Sequence, residues 1–247
     1  MSERSSDSSW AVICRLGGIG VFVQLLCAAM TMTVAFTLGG EPNSARELFD
    51  LMQQNRIATI LRLDFASMIS MVINYLTFFA IFAALRRTRR AFAVFATALA
   101  FIGITLWLST HSALSVVYLS DQFMAADTAQ VRSEIVASTN AVLASNMWHS
   151  SGAIVGGYLL QTAGLVVSLL MLSDERFGRL LSVLGIAVYA LDLLHIIVGG
   201  FLPNVSVILM IIAGTLYVPW FAILGLRLLQ ISQSERQTVS GGNVETG

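Results

Sequence analysis

Six stretches of about twenty predominantly apolar residues succeed one another along the chain, near residues 16–38, 65–85, 91–118, 150–172, 180–201 and 204–227. A helix rising about 1.5 Å per residue crosses a hydrocarbon layer of roughly 30 Å in about 20 residues. Each stretch therefore predicts a transmembrane helix, and the fold class expected is all-α, a polytopic bundle of about six spans. Residues 1–230 are read as one transmembrane bundle. The polar, small-residue tail at 231–247 is expected to be a disordered cytoplasmic segment. The first apolar run exceeds a typical signal-peptide core and is followed by no small-residue cleavage site, so it is expected to remain in the protein.

Between the spans the pattern changes twice to one of amphipathic helices. In EPNSARELFDLMQQN, Ser44 stands three residues before Glu47, a capping-box spacing, and Leu48, Phe49 and Leu51 are placed to rest on a membrane surface. In DTAQVRSEIVASTNAVLAS, Asp127 is the expected N-cap, and Val131, Ile135 and Val142 recur at helical spacing. Both helices are expected to shield the outer end of the bundle. The link around FLPN is so short that the last two spans must form an antiparallel hairpin.

Charge sets the orientation. All 14 basic residues are arginine, with no lysine in the chain. The connections holding Arg4, Arg15, Arg86, Arg87, Arg89, Arg90, Arg176, Arg179, Arg227 and Arg236 fall on one side, and those holding Arg46, Arg56, Arg62 and Arg132 on the other. Positive loops stay in the cytoplasm, so both termini are expected there, and the run RRTRR reads as a topology anchor with the charge to attract anionic lipid. Without lysine there is no Schiff base and no P-loop. Zero formal net charge removes the basic face that a nucleic-acid partner requires. Only 11% of residues are charged against 56% hydrophobic, which leaves the lipid bilayer as the partner of most of the surface. Cys14 and Cys27 offer no disulfide framework and are read as small core residues.

The candidate chemistry lies within the spans. In YALDLLHIIVGG, Gly185, Tyr189, Asp192, His195 and Gly199 fall on one helical face opposite Leu, Ile and Val. A carboxylate turned to lipid costs about 2.5 to 3.5 kcal/mol at mid-span, so this face is expected to point inward, with Asp192 either neutral or paired with His195. Gln24, Asn74 and Gln161 occupy other spans, and Ser67, Ser70, Asn74 and Thr77 form a second stripe. Groups of this kind bond to one another across helices. Together Asp192, His195, Tyr189, Asn74, Gln161 and Gln24 make a polar core that either pairs helices or lines a cavity for a small-molecule or lipid ligand.

A proton-coupled carrier using Asp192 and His195 is the alternative. A third reading makes His111, His149 and His195, with Asp192, a zinc site, or has two of the histidines clamp a haem; no HExxH-like spacing supports it, and no cofactor is expected. Gly152 and Gly156 stand four apart, as in close helix pairs. Pro219 is expected to kink the last span. Association with a second copy of the chain is left open, and no serine has the setting of a hydrolase nucleophile.

CRLGGIG, LSTHSALSVVYLS, GGYLLQTAGLVVSLLMLSDERFGRLLSVLGIAVYALDLL and IIAGTLYVPWFAILGLRLL, spread over residues 11 to 230, resemble a family of bacterial multi-pass membrane proteins of unknown function, the DUF4386 type. The resemblance implies a six-helix protein of the bacterial inner membrane and carries over no activity or catalytic residue.

Overall fold

The computed structural model describes residues 2–145 and 150–241. These contain ten helices and no strand: α1 (Ser2–Leu38), α2 (Ala45–Gln54), α3 (Arg56–Arg62), α4 (Phe65–Leu85), α5 (Arg90–Ser109), α6 (Ala113–Ala125), α7 (Ala129–Ala144), α8 (Ser151–Met171), α9 (Arg179–Gly199) and α10 (Pro203–Gly241). Six stretches are long and apolar enough to cross a bilayer: Ser9–Leu38, Phe65–Leu85, Arg90–Ala125, Ser151–Met171, Arg179–Gly199 and Pro203–Gln237. The protein is thus an all-α, polytopic membrane protein. Outward positions along α9 show why it belongs in lipid: Leu180, Val183, Leu194 and Ile197 are all exposed. A row of large exposed aliphatic side chains is stable only against acyl chains.

Two features depart from the sequence reading of the spans. The third is broken between α5 and α6, where it was expected to run unbroken to residue 118. Ser109 Oγ and Thr110 Oγ1 donate to the carbonyls of Leu106 and Trp107. The amides of Thr110 and His111 reach back only three residues, to Trp107 and Leu108. Side-chain hydroxyls competing for carbonyls at a helix end favour termination there. The sixth span, by contrast, does not stop near 227. Residues 231–241, expected to be a disordered tail, continue α10, because Ile231 and Ser232 are buried and the Ser232 hydroxyl donates to Ala11 O at 2.7 Å. Residues 242–247 lie outside the described residues. α10 also runs on through Pro219.

The chain divides into two compact units. One contains the described residues of Met1–Leu25, Val72–Ile104 and Gly157–Gly247. Here α1 meets α4 closely: a Cβ at Gly17 would collide with that of Ala80, and buried Cys14 lies against the Ala80 carbonyl, as expected of a small core residue. At one end of this unit arginines and carboxylates close the loops. Arg86 pairs with Glu235 at 3.0 Å and lies over the Trp10 ring. Asp174 accepts from Arg176 Nε at 2.9 Å and from the Thr88 hydroxyl at 2.9 Å, while Arg176 Nη2 also donates to Ala84 O. Arg87, Arg89 and Arg90 remain exposed.

The other unit contains Leu26–Met71 and Thr105–Gly156. Half of the capping-box signal is realised: Ser44 Oγ accepts from the Glu47 N–H, while Glu47 Oε2 accepts from the Asn43 N–H at 2.9 Å, one residue before the cap. α7 is capped by Thr128, not Asp127, since its hydroxyl meets the Val131 N–H three residues on. Leu48 and Phe49 do not lie on a membrane surface. They are buried with Met52, Leu63, Ala113 and Val116 in a small core to which Ile135, Val136, Val142 and Leu143 contribute. Phe49 stacks on Phe123 at 4.2 Å, and Asn140 Oδ1 accepts the Ala45 amide at 2.9 Å. The amphipathic connections therefore bury their apolar faces against each other, with α6 between them. Arg56 and Asp121 form an exposed ion pair beside this core.

Two predictions follow from these contacts. Phe49→Ala should cost about 3 to 5 kcal/mol by removing a buried ring and leaving a cavity in this core, read as a lowered melting temperature in detergent. Burial alone would raise the Asp174 carboxyl, but its bonds to Arg176 and Thr88 outweigh that and hold it below the usual value of 3.8. A depressed carboxylate contributes stability above the unfolded value that is lost as pH falls through the folded one. Asp174→Asn should therefore destabilise by about 1 to 2 kcal/mol at pH 7, and the difference from the parent protein should shrink as pH falls below the usual carboxyl value of 3.8.

Candidate functional site

α9 turns Leu181, Ser182, Gly185, Val188 and Tyr189 into the protein, and Asp192 follows them half-buried on the same side. The inward stripe is thus as the helical spacing predicts. What makes it a site is close backbone approach. A Cβ at Gly164 on α8 would strike the Tyr189 ring. One at Gly185 would strike Ser168 Oγ and come within 2.6 Å of Trp220 Nε1. Ser168 spends its own proton on the Gly164 carbonyl, at 2.7 Å. Two glycines therefore admit a block of large rings: Tyr189 meets Trp220 edge-on at 5.0 Å and Tyr217 at 5.6 Å, and Phe221 completes the group. Edge-to-face contacts of this kind add about 0.5 to 1.5 kcal/mol beyond burial.

Against these rings lies the polar centre. The Tyr217 hydroxyl is 3.0 Å from Gln161 Oε1 and 3.1 Å from Asp192 Oδ2, so α8, α9 and α10 meet at one phenol. A phenol has one proton. It cannot donate to both oxygens, so with this amide orientation the carboxyl must carry a proton and donate it to the phenol, which passes its own to Gln161. An ionised Asp192 requires Gln161 to turn its NH2 toward the phenol instead. Either way three polar groups are satisfied in one chain of bonds, and the protonation of Asp192 fixes the direction in which that chain runs.

His195 belongs to a different contact. Ser206 Oγ lies 2.8 Å from His195 Nδ1 and donates to the His195 carbonyl at 3.0 Å. Since the serine proton is spent on the carbonyl, Nδ1 must hold a proton and donate it to Ser206, leaving Nε2 as the free ring position. No direct hydrogen bond joins His195 to Asp192. Ser206 is buried in the first turns of α10, where that helix packs on α9.

The remaining residues of the expected polar core are not part of this network. Gln24 is buried on α1 and accepts from the Thr77 hydroxyl on α4 at 2.9 Å; Asn74 lies half-buried one turn before Thr77. Among the described residues no three His, Cys, Asp or Glu side chains converge as metal ligands. His111 sits at the break between α5 and α6, its Nδ1 3.4 Å from the Ala113 amide, and His149 lies outside the described residues. The residue that sequence reasoning missed is Tyr217. Its signal was present in LYVPW, since a tyrosine in the middle of a span, away from the interfacial belt, needs a polar partner.

No protein-family model, curated protein or solved structure matches this chain.

Removing only the phenolic oxygen tests the centre. Tyr217→Phe should leave Gln161 and Asp192 without their shared partner and cost about 1 to 3 kcal/mol, measured by thermal unfolding in detergent. Gly164→Leu, which inserts a side chain where the Tyr189 ring lies, should cost more than Tyr217→Phe in the same assay.

Proposed function

We propose that the chain is a multi-pass protein of a bacterial inner membrane, with both termini cytoplasmic, that carries out no chemical reaction and uses its polar core to fix the pairing of its helices. The observation that carries this reading is the single phenol of Tyr217 joined to Asp192 and Gln161. It accounts for an acidic residue in the middle of an apolar segment without any substrate. The arginines support the orientation, and the sequence resemblance to the DUF4386 type supports the bacterial assignment.

A second reading has a specific observation in its favour. Because the chain of bonds through the Tyr217 phenol can run in either direction, loading or unloading Asp192 reverses it across α8, α9 and α10. That is the element a proton-coupled carrier needs. The two readings separate in one variant. Under helix pairing, Asp192→Asn keeps a hydrogen-bonding group of the same shape and should change stability by less than about 1 kcal/mol, while proteoliposomes of parent and variant collapse an imposed pH gradient no faster than empty ones. A carrier should speed that collapse in the parent and lose the effect in the variant. For the orientation, a cysteine-free protein with Arg46→Cys should react with an impermeant maleimide from outside intact cells, and one with Thr88→Cys should not; the reverse pattern would invert the topology.

A further inference from the structure

An open cleft of about 360 Å³ lies between α2 and α7. Phe123, stacked on the buried Phe49, and Val136 give it an apolar floor. Its polar wall comes from Arg46 and Asp50, one turn apart on α2, and from Arg132 and Ser133 on α7. All of these residues belong to one compact unit. The arginines of that unit divide into two kinds. Arg56 pairs with Asp121, and Arg62 faces Glu47. Arg46 and Arg132 line the same cleft, and among the described residues neither pairs with a carboxylate, Asp50 included.

Arg132 is also held in place. Its Nε donates to the Ala126 carbonyl at 3.0 Å, and its guanidinium lies over the Phe123 ring at 5.9 Å. A guanidinium fixed through Nε and one face keeps its two terminal nitrogens for a ligand, and that edge is a fork matched to two oxygens of one planar anion. Much of the freedom that a long side chain loses on binding is thus lost before any ligand arrives. Arg46 brings a second positive charge to the same space, and the Ser133 hydroxyl adds a neutral donor.

The walls select among anions. Asp50 opposes a second negative charge, which disfavours a phosphate monoester of about −1.5 to −2 relative to a carboxylate carrying one. The floor of Phe123 and Val136 favours a ligand whose body is apolar. The volume falls in the range of small-molecule pockets, about 300 to 1,000 Å³, and at its lower end, which suits a body of one ring. We infer that this cleft binds a small monocarboxylate with an apolar, ring-sized body, Arg132 gripping both of its oxygens and Arg46 supplying the second charge. The site is independent of Asp192 and stands whichever reading of the polar core holds.

Fluorine NMR of 4-fluorobenzoate, titrated with the purified full-length protein in maltoside micelles at pH 7 and constant ionic strength, tests it. The expected result is a saturable, one-to-one shift and broadening of the fluorine line that empty micelles do not produce. 4-Fluorobenzamide, the same ring without the charge, should bind at least tenfold more weakly, and inorganic phosphate should displace the benzoate at least tenfold less well than unlabelled benzoate does. Arg46→Gln and Arg132→Gln should each weaken binding at least tenfold, as should Ser133→Trp, which fills the cleft and keeps both guanidiniums. Arg56→Gln removes a positive charge outside the cleft and should leave the affinity unchanged. Arg46 is exposed and unpaired, so Arg46→Gln should melt at the parent temperature, which separates lost binding from lost folding. Absence of saturable binding, equal affinity for the amide, equal displacement by phosphate, unchanged affinity in Arg46→Gln, Arg132→Gln or Ser133→Trp, or an equal loss in Arg56→Gln overturns the assignment.

Discussion

A polar atom inside a membrane-spanning segment has no water to fall back on, and the rest of this structure depends on where each such atom finds its partner. Backbone groups are satisfied within each helix, which is why all six spans are helical. Side chains have no such local solution. Asp192 finds its partner on α10, Gln161 shares it from α8, Gln24 finds Thr77 on α4, and His195 finds Ser206 across the last hairpin. Each of these bonds can form only if particular helices lie side by side in one register. The polar residues thus specify neighbours, which the hydrophobic effect cannot do for helices already dissolved in hydrocarbon.

Close approach is the condition for that pairing, and small residues supply it. Gly164 and Gly185 admit Tyr189, Ser168 and Trp220, and Gly17 lets α1 lie on Ala80. Trp220 is fully buried as a result, and its Nε1 has no acceptor among the described residues. An unpaired indole N–H in the same seam as a shared phenolic proton shows that packing of large rings was satisfied ahead of full hydrogen bonding there. Dispersion and edge-to-face contacts among four rings outweigh the one orphaned donor, which in a membrane is a cost of about 1 to 3 kcal/mol.

The connections follow a different physics, closer to that of a soluble protein. α2, α6 and α7 bury apolar faces against one another, with caps from Ser44, Asn55 and Thr128 at their starts. Beside this core Asp64 stands at positive φ, and its Oδ1 takes the Thr31 hydroxyl and the Ser67 amide. Within the spans, Asp192, Gln161 and Tyr217 satisfy one another.

How much of this was legible beforehand depends on the range of the interaction. Span positions, the α9 stripe from Gly185 to Asp192 and the Ser44–Glu47 cap all follow from local composition and helical periodicity, because hydrocarbon thickness and the 3.6-residue repeat act on neighbours in sequence. The break at Ser109 to Ser112 was legible in principle, as hydroxyls and an imidazole crowd one helix end. The extension of α10 past residue 230 was not, since Ile231, Ser232 and Glu235 look like a solvated tail until Ala11 and Arg86 are placed beside them. Nor was the choice of partner for Asp192. His195 is three residues away and was the natural candidate; Tyr217, 25 residues on, takes its place. By itself the sequence determined that the chain enters the membrane, how often, and which helix faces turn inward, since those depend on one segment and its solvent. Only the tertiary structure decided which polar groups meet, because that depends on which helices are neighbours.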